Sequence, residues 1–118
     1  VLAIDDSRTI RTLLGVTLGD NGFKVTTAED GVEGLESFNS AQPDVVITDI
    51  NMPRLDGFGV IERIRGGSVN RSVPIIVLST ESSDDLKLRA RKAGATGWIV
   101  KPFEEASLVA VLKRITGV

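Results

Sequence analysis

Short apolar runs rich in β-branched residues recur at residues 1–4, 23–27, 45–48, 75–78 and 98–100. Continuous rather than alternating apolar character over so few residues is the pattern of strands covered on both faces, and five buried strands are expected. The intervening segments carry apolar residues at helical spacing: Ile10, Leu13, Leu14 and Leu18; Val32, Leu35 and Phe38; Ile61 and Ile64; Leu86, Ala90 and Ala93; Leu108, Val109, Leu112 and Ile115. Boundary residues agree with this division. Asp30 and Glu33 suit a capping box, Ser82 or Ser83 can cap the fourth helix, and Gly22, Gly66 and Gly94 stand where helices should stop.

Strand and helix alternate five times, which implies right-handed crossovers and one parallel sheet with helices on both faces. For five strands the expected fold is α/β and flavodoxin-like, with strand order 2-1-3-4-5. Residues 1–118 are read as a single domain, without repeat, linker or low-complexity stretch. The chain opens without Met directly in a strand-like run, so a few residues are expected ahead of Val1.

Composition narrows the chemistry. There is no cysteine and no histidine, which excludes disulfides, thiolate or imidazole metal sites, and Ser-His or Cys-His catalysis. A net charge of −2 argues against direct nucleic-acid binding, and no apolar run is long enough to span a membrane. A cytoplasmic protein is expected.

In open parallel sheets the functional crevice lies at the carboxyl ends of the strands. Asp5 and Asp6 follow the first strand, Asp49 the third, Ser79 and Thr80 the fourth, and Lys101 the fifth. Singly, each has an ordinary explanation as a helix cap. Brought together, Asp5, Asp6 and Asp49 are three carboxylates that repel one another unless a cation or shared proton intervenes. A hard divalent ion, Mg²⁺, suits such oxygen donors, and Lys101 and the Ser79 hydroxyl could meet a phosphoryl group. The site is suited to placing phosphate on a carboxylate.

The stretches IDDSRTIR (4–11), TDINMPRLDGFG (48–59), IIVLST (75–80) and GWIVKPF (97–103) resemble the blocks of response-regulator receiver domains. Their compact pattern is most similar to single-domain chemotaxis regulators of the CheY type. The resemblance covers essentially the whole chain and implies a two-component phosphoacceptor switch, with self-catalysed phosphorylation and dephosphorylation, rather than an enzyme acting on other molecules. It implies Asp49 as phosphoacceptor, taking its phosphoryl group from a histidine kinase. Mg²⁺ (with Mn²⁺ able to substitute) would be held by Asp5, Asp6, Asp49 and the Asn51 carbonyl, Asp5 acting through a water. Ser79 and Lys101 would engage the phosphoryl group, and Pro102 would follow a cis peptide. Asn51 and Glu81 would set water access and hydrolysis rate. Trp98 stands where the family usually carries a rotating Tyr or Phe; it is either a switch aromatic or a core residue. The fourth helix, rich in Lys87, Arg89, Arg91 and Lys92, is either a solvated face or, with the last strand and helix, a surface that docks a downstream protein.

Other readings are weaker. A dehalogenase-type phosphatase needs a second Asp where this chain has Asn51, and a flavin carrier would be repelled by IDDSR after the first strand. Within the receiver reading, a stand-alone regulator in chemotaxis and a receiver taken from a longer chain with a DNA-binding or enzymatic output domain both remain.

Overall fold

The computed structural model describes residues 1–117. Five strands, β1 (Leu2–Ile4), β2 (Thr26–Ala28), β3 (Val46–Thr48), β4 (Ile75–Ser79) and β5 (Gly97–Val100), alternate with five helices. The helices are α1 (Arg8–Gly19), α2 (Gly31–Ala41), α3 (Gly57–Gly66), α4 (Asp84–Ala93) and α5 (Glu105–Thr116). All strands are parallel in the order β2-β1-β3-β4-β5. This is the expected α/β, flavodoxin-like arrangement.

Successive strand residues point to opposite faces, and the core divides accordingly. Leu2, Ile4, Val46, Ile75 and Val77 pack with residues of α2, α3 and α4, including Phe38, Phe58, Ile61, Ile64 and Ala90. Ala3, Ile47, Ile76 and Leu78 pack on the other face with Leu14 and Leu18 of α1 and with Leu108, Val109 and Leu112 of α5.

The second strand is shorter and later than the run 23–27 predicts. Gly22 takes a left-handed φ of 88°, and the Phe23 N–H donates back to the Leu18 carbonyl, so residues 20–25 finish the helix connection. Phe23 and Val25 supply apolar cover without joining the ladder, whose first pair is Leu2 with Thr26. α1 itself ends at Gly19, three residues before Gly22, and α3 includes Gly66 and is capped by Gly67. Gly94 does stop α4, at φ 118°. Asp30 caps α2 by accepting from the Glu33 N–H at 2.9 Å, and Ser83 rather than Ser82 caps α4.

Candidate functional site

The ladder continues beyond the strands and delivers the site. The Asp5 N–H donates to Ala28 O at 3.0 Å, Asp49 N–H to Ile4 O at 2.9 Å, and Lys101 N–H to Ser79 O at 2.8 Å. These bonds fix the backbone from which each side chain leaves the carboxyl end of the sheet. Gly57, the first residue of α3, lies under the Asp49 carbonyl so closely that a Cβ there would collide with that oxygen and come within 2.9 Å of the Ile50 Cα.

Asp5, Asp6 and Asp49 converge: each offers a carboxylate oxygen within 4.8 Å of the others. Their surroundings differ. Asp5 is 2% and Asp49 9% exposed, whereas Asp6 faces solvent. The Lys101 ammonium donates to Asp5 Oδ2 at 2.7 Å and to Asp49 Oδ2 at 3.0 Å. The other Asp5 oxygen accepts from the Ser7 N–H at 2.9 Å, and the other Asp49 oxygen from the Ile50 N–H at 2.7 Å. Burial pushes the Asp5 carboxyl above its ordinary value; Lys101 and the Ser7 N–H oppose the rise without cancelling it. For Lys101 burial works downward, but the hydrogen bonds to Asp5 and Asp49 outweigh it and hold the ammonium above the usual lysine value.

Three carboxylates against one ammonium leave a formal excess of two negative charges, which matches a divalent cation. The donors are all hard oxygens, the type Mg²⁺ prefers. Ser79 ends β4 fully buried, and its hydroxyl accepts from the Glu81 N–H at 3.2 Å; Thr80 beside it is exposed. Asn51 is exposed on the loop after Asp49. The Lys101–Pro102 peptide is cis, and Pro102 lies ahead of the α5 cap at Glu104, so it is not a first-turn helix proline. Trp98 is half-buried, and its indole N–H donates to the Glu81 carbonyl at 2.9 Å, joining β5 to the loop after β4. Two features escaped the sequence reading. One is the close seat of Gly57, which the DGFG segment hints at. The other is a two-pronged ion pair from Arg54 to Asp30, for which the sequence offers no signal.

A parallel five-stranded sheet in this order, with an acidic cluster and a lysine at its carboxyl end, is a receiver-type α/β arrangement. The family model for the response regulator receiver domain matches residues 1–113, and the chain belongs to that family. Among curated relatives, the transcriptional regulatory protein PrrA of Mycobacterium tuberculosis is 42% identical over 115 residues, covering 98% of this chain and 48% of PrrA. The probable transcriptional regulator ycf27 of Guillardia theta is 43% identical over 118 residues, covering 97% of this chain and 45% of ycf27. The chain thus spans about half the length of the curated relatives it matches.

Among solved structures, the chemotaxis protein CheY4 of Vibrio cholerae superposes with a TM-score of 0.91 at 43% identity, covering 97% of this chain and 95% of CheY4. The receiver domain of the sensor histidine kinase PA1611 from Pseudomonas aeruginosa, with a magnesium ion coordinated in its active site cleft, superposes at 0.90 with 29% identity, covering 99% and 96%. The expectation of a chemotaxis role is not supported, because transcriptional regulators match the chain at the same identity as CheY4. No helix among the described residues is long and apolar enough to cross a membrane.

Proposed function

We propose that Asp49 is the phosphoacceptor of a Mg²⁺-dependent switch. The observation that carries this reading is the shared position of Asp5, Asp6, Asp49 and Lys101 at the carboxyl end of the sheet. An Asp49 carboxylate oxygen attacks phosphorus in the donor, a phosphohistidine of a histidine kinase or a small acyl phosphate. The bond from phosphorus to the donor breaks, the leaving group keeps its electron pair, and an acyl phosphate forms. Attack of water on that phosphorus later releases inorganic phosphate and restores the carboxylate. Asp5, Asp6, Asp49 and the Asn51 carbonyl would hold Mg²⁺, or Mn²⁺ in its place. The ion supplies positive charge against the equatorial oxygens of the transferring group.

Lys101 already sits at Asp49, so a phosphoryl group arriving there meets the ammonium. Ser79 leaves the Glu81 N–H to donate to the phosphoryl oxygens, and Asn51 and Glu81 govern the approach of water. Trp98 senses this change through its bond to the Glu81 carbonyl. The readout is the face formed by α4, β5 and α5, presented to a protein partner in the cytoplasm. α4 is suited to move because Ala90 is its single buried residue among the described ones; Leu88 is 50% exposed, and the Arg89 guanidinium rests 3.9 Å from the Phe58 ring centre. Incubation with acetyl phosphate, read by intact mass, tests the proposal. A phosphoryl adduct that needs Mg²⁺ and is missing in Asp49→Asn is expected; an equal adduct in that variant would overturn it.

A second reading concerns the output. The named relatives are transcriptional regulators about twice the length of this chain, which favours a receiver whose phosphorylation acts on an attached DNA-binding domain over a stand-alone chemotaxis regulator. Nucleic acid would then be touched by that domain and not by this one.

A further inference from the structure

The loop between β3 and α3 carries the residues after the phosphoacceptor, and it is fixed at both ends. The Ile50 N–H donates to Asp49 Oδ1, and the Gly57 N–H donates to the Ile50 carbonyl at 2.9 Å. Between these ends Arg54 takes a left-handed φ of 66°. For a side chain other than Gly, Asn or Asp this conformation costs about 1 kcal/mol and persists only where its surroundings impose it.

The imposing contact is on α2. Arg54 Nε donates to Asp30 Oδ2 and Arg54 Nη2 to Asp30 Oδ1, each at 3.0 Å. Asp30 is only 5% exposed and is committed to capping α2 through the Glu33 N–H. That N–H first, and the Arg54 guanidinium after it, hold the Asp30 carboxyl below the usual carboxylate range despite burial. Beside the pair, Gly31 lies so close to the Leu55 backbone that a Cβ would collide with the Leu55 carbonyl. The loop is thereby pressed against the start of α2, a helix that contributes nothing directly to the acidic cluster.

We infer that the Arg54–Asp30 pair is a positioning device for the phosphoacceptor site: it holds the loop so that the Asn51 carbonyl is presented to the divalent cation. This rests on the receiver reading of the site. Arg54 and Asp30 touch neither metal nor phosphate; they act through the loop backbone.

Two variants separate this role from general electrostatics. Arg54→Gly removes the pair and also relieves the left-handed φ, which glycine adopts freely. Asp30→Asn keeps the helix cap, since Asn caps as well as Asp, but loses the ion pair. Charge alone predicts opposite effects on Mg²⁺: removing a cation should tighten binding and removing an anion should weaken it. The positioning role predicts the same sign for both.

Calorimetric titration of the full chain with Mg²⁺ is the experiment. Each single variant is expected to weaken binding about ten-fold, the low end of what loss of a supporting partner costs a metal site. The double variant should be no weaker than either, and Arg54→Lys, which keeps the charge but not the fork, should fall between. In EDTA, amide exchange at Asn51, Met52 and Leu55 should rise in both single variants, a readout that involves no metal. Unchanged Mg²⁺ affinity or unchanged exchange in Arg54→Gly, or additive losses in the double variant, would overturn the inference while leaving the receiver site intact. A wild-type chain that binds no Mg²⁺ would overturn the site as well.

Discussion

Asp5 and Asp6 are neighbours in the chain with opposite circumstances. Asp5 is buried and paired with Lys101, while Asp6 faces water and adds its charge to the cluster from outside. Asp6→Asn therefore removes repulsion without breaking an ion pair, and should raise the melting temperature in EDTA by about 2 °C. Asp49→Asn takes a partner from Lys101 and should gain less. At Mg²⁺ about ten times its dissociation constant the wild type should gain roughly 1.4 kcal/mol by mass action, and Asp6→Asn much less. Thermal melts with EDTA and with Mg²⁺ check both; an Asp6→Asn protein that is less stable in EDTA, with an undiminished Mg²⁺ gain, would mean that the carboxylates do not act together.

Lys101 gives a pH signature. Its folded value is raised above the ordinary 10.5, so the stability it contributes is fully present below 10.5 and is lost as pH rises through the folded value. Lys101→Met should cost about 3 kcal/mol, because Asp5 and Asp49 stay buried without their cation. Denaturant melts should show that difference persisting to about pH 9 and shrinking above the unfolded lysine value; it should also shrink toward acid, because without Lys101 nothing opposes the burial that pushes the Asp5 carboxyl up. A difference that already shrinks near pH 8 would contradict the pairing.

At the scale of elements, the turn from β3 into α3 depends on Gly57. An alanine Cβ would strike backbone at Asp49 and Ile50, which cannot swing aside as a side chain can. Gly57→Ala is expected to cost at least about 2 kcal/mol and to slow phosphorylation of Asp49 together with the loss of stability, as melts and phosphorylation kinetics on the same samples would show. A variant as stable and as reactive as wild type would remove the turn from the account.

β1, β3 and β4 were legible because a doubly covered strand is a short continuous apolar run, whereas the edge strands β2 and β5, expected to be buried, are only partly so because each has a neighbour on one side alone. The second strand was misplaced because Phe23 and Val25 have strand-like side chains but a backbone still tied to Leu18. In α2 the pattern of Val32, Leu35 and Phe38 found the helix and, through Phe38 and Leu35, only part of its packed face. Gly31 and Gly34 are buried there, and a Cβ on Gly34 would lie 2.5 Å from Ile4 Cδ1. A glycine buried for closeness leaves no mark in hydrophobic periodicity. Asp5, Asp6, Asp49 and Lys101 were legible because parallel strand order brings the ends of β1, β3 and β5 to one side of the sheet. Arg54 was not, because its role comes from a left-handed backbone that its residue type does not announce.

Over the whole molecule, one sheet carries two cores and a charged end. The face of α1 and α5 is packed with large aliphatic side chains, whereas on the opposite face α4 is held by Ala90, the Arg89–Phe58 contact and a bond from Arg65 Nε to the Gly94 carbonyl at 3.0 Å. Among the described residues α4 is thus the helix with the fewest buried, Ala90 alone, and local opening is cheapest where little is buried. All of this depends on chemistry at one carboxylate. An acyl phosphate is reduced by borohydride to the alcohol, so an aspartyl phosphate becomes homoserine. Peptide mapping of the chain after treatment with acetyl phosphate and Mg²⁺, followed by borohydride, reads the site directly. Homoserine is expected at position 49 only, and none when Mg²⁺ is withheld; homoserine at Asp5 or Asp6, or unchanged Asp49 in a phosphorylated chain, would contradict Asp49 as the phosphoacceptor.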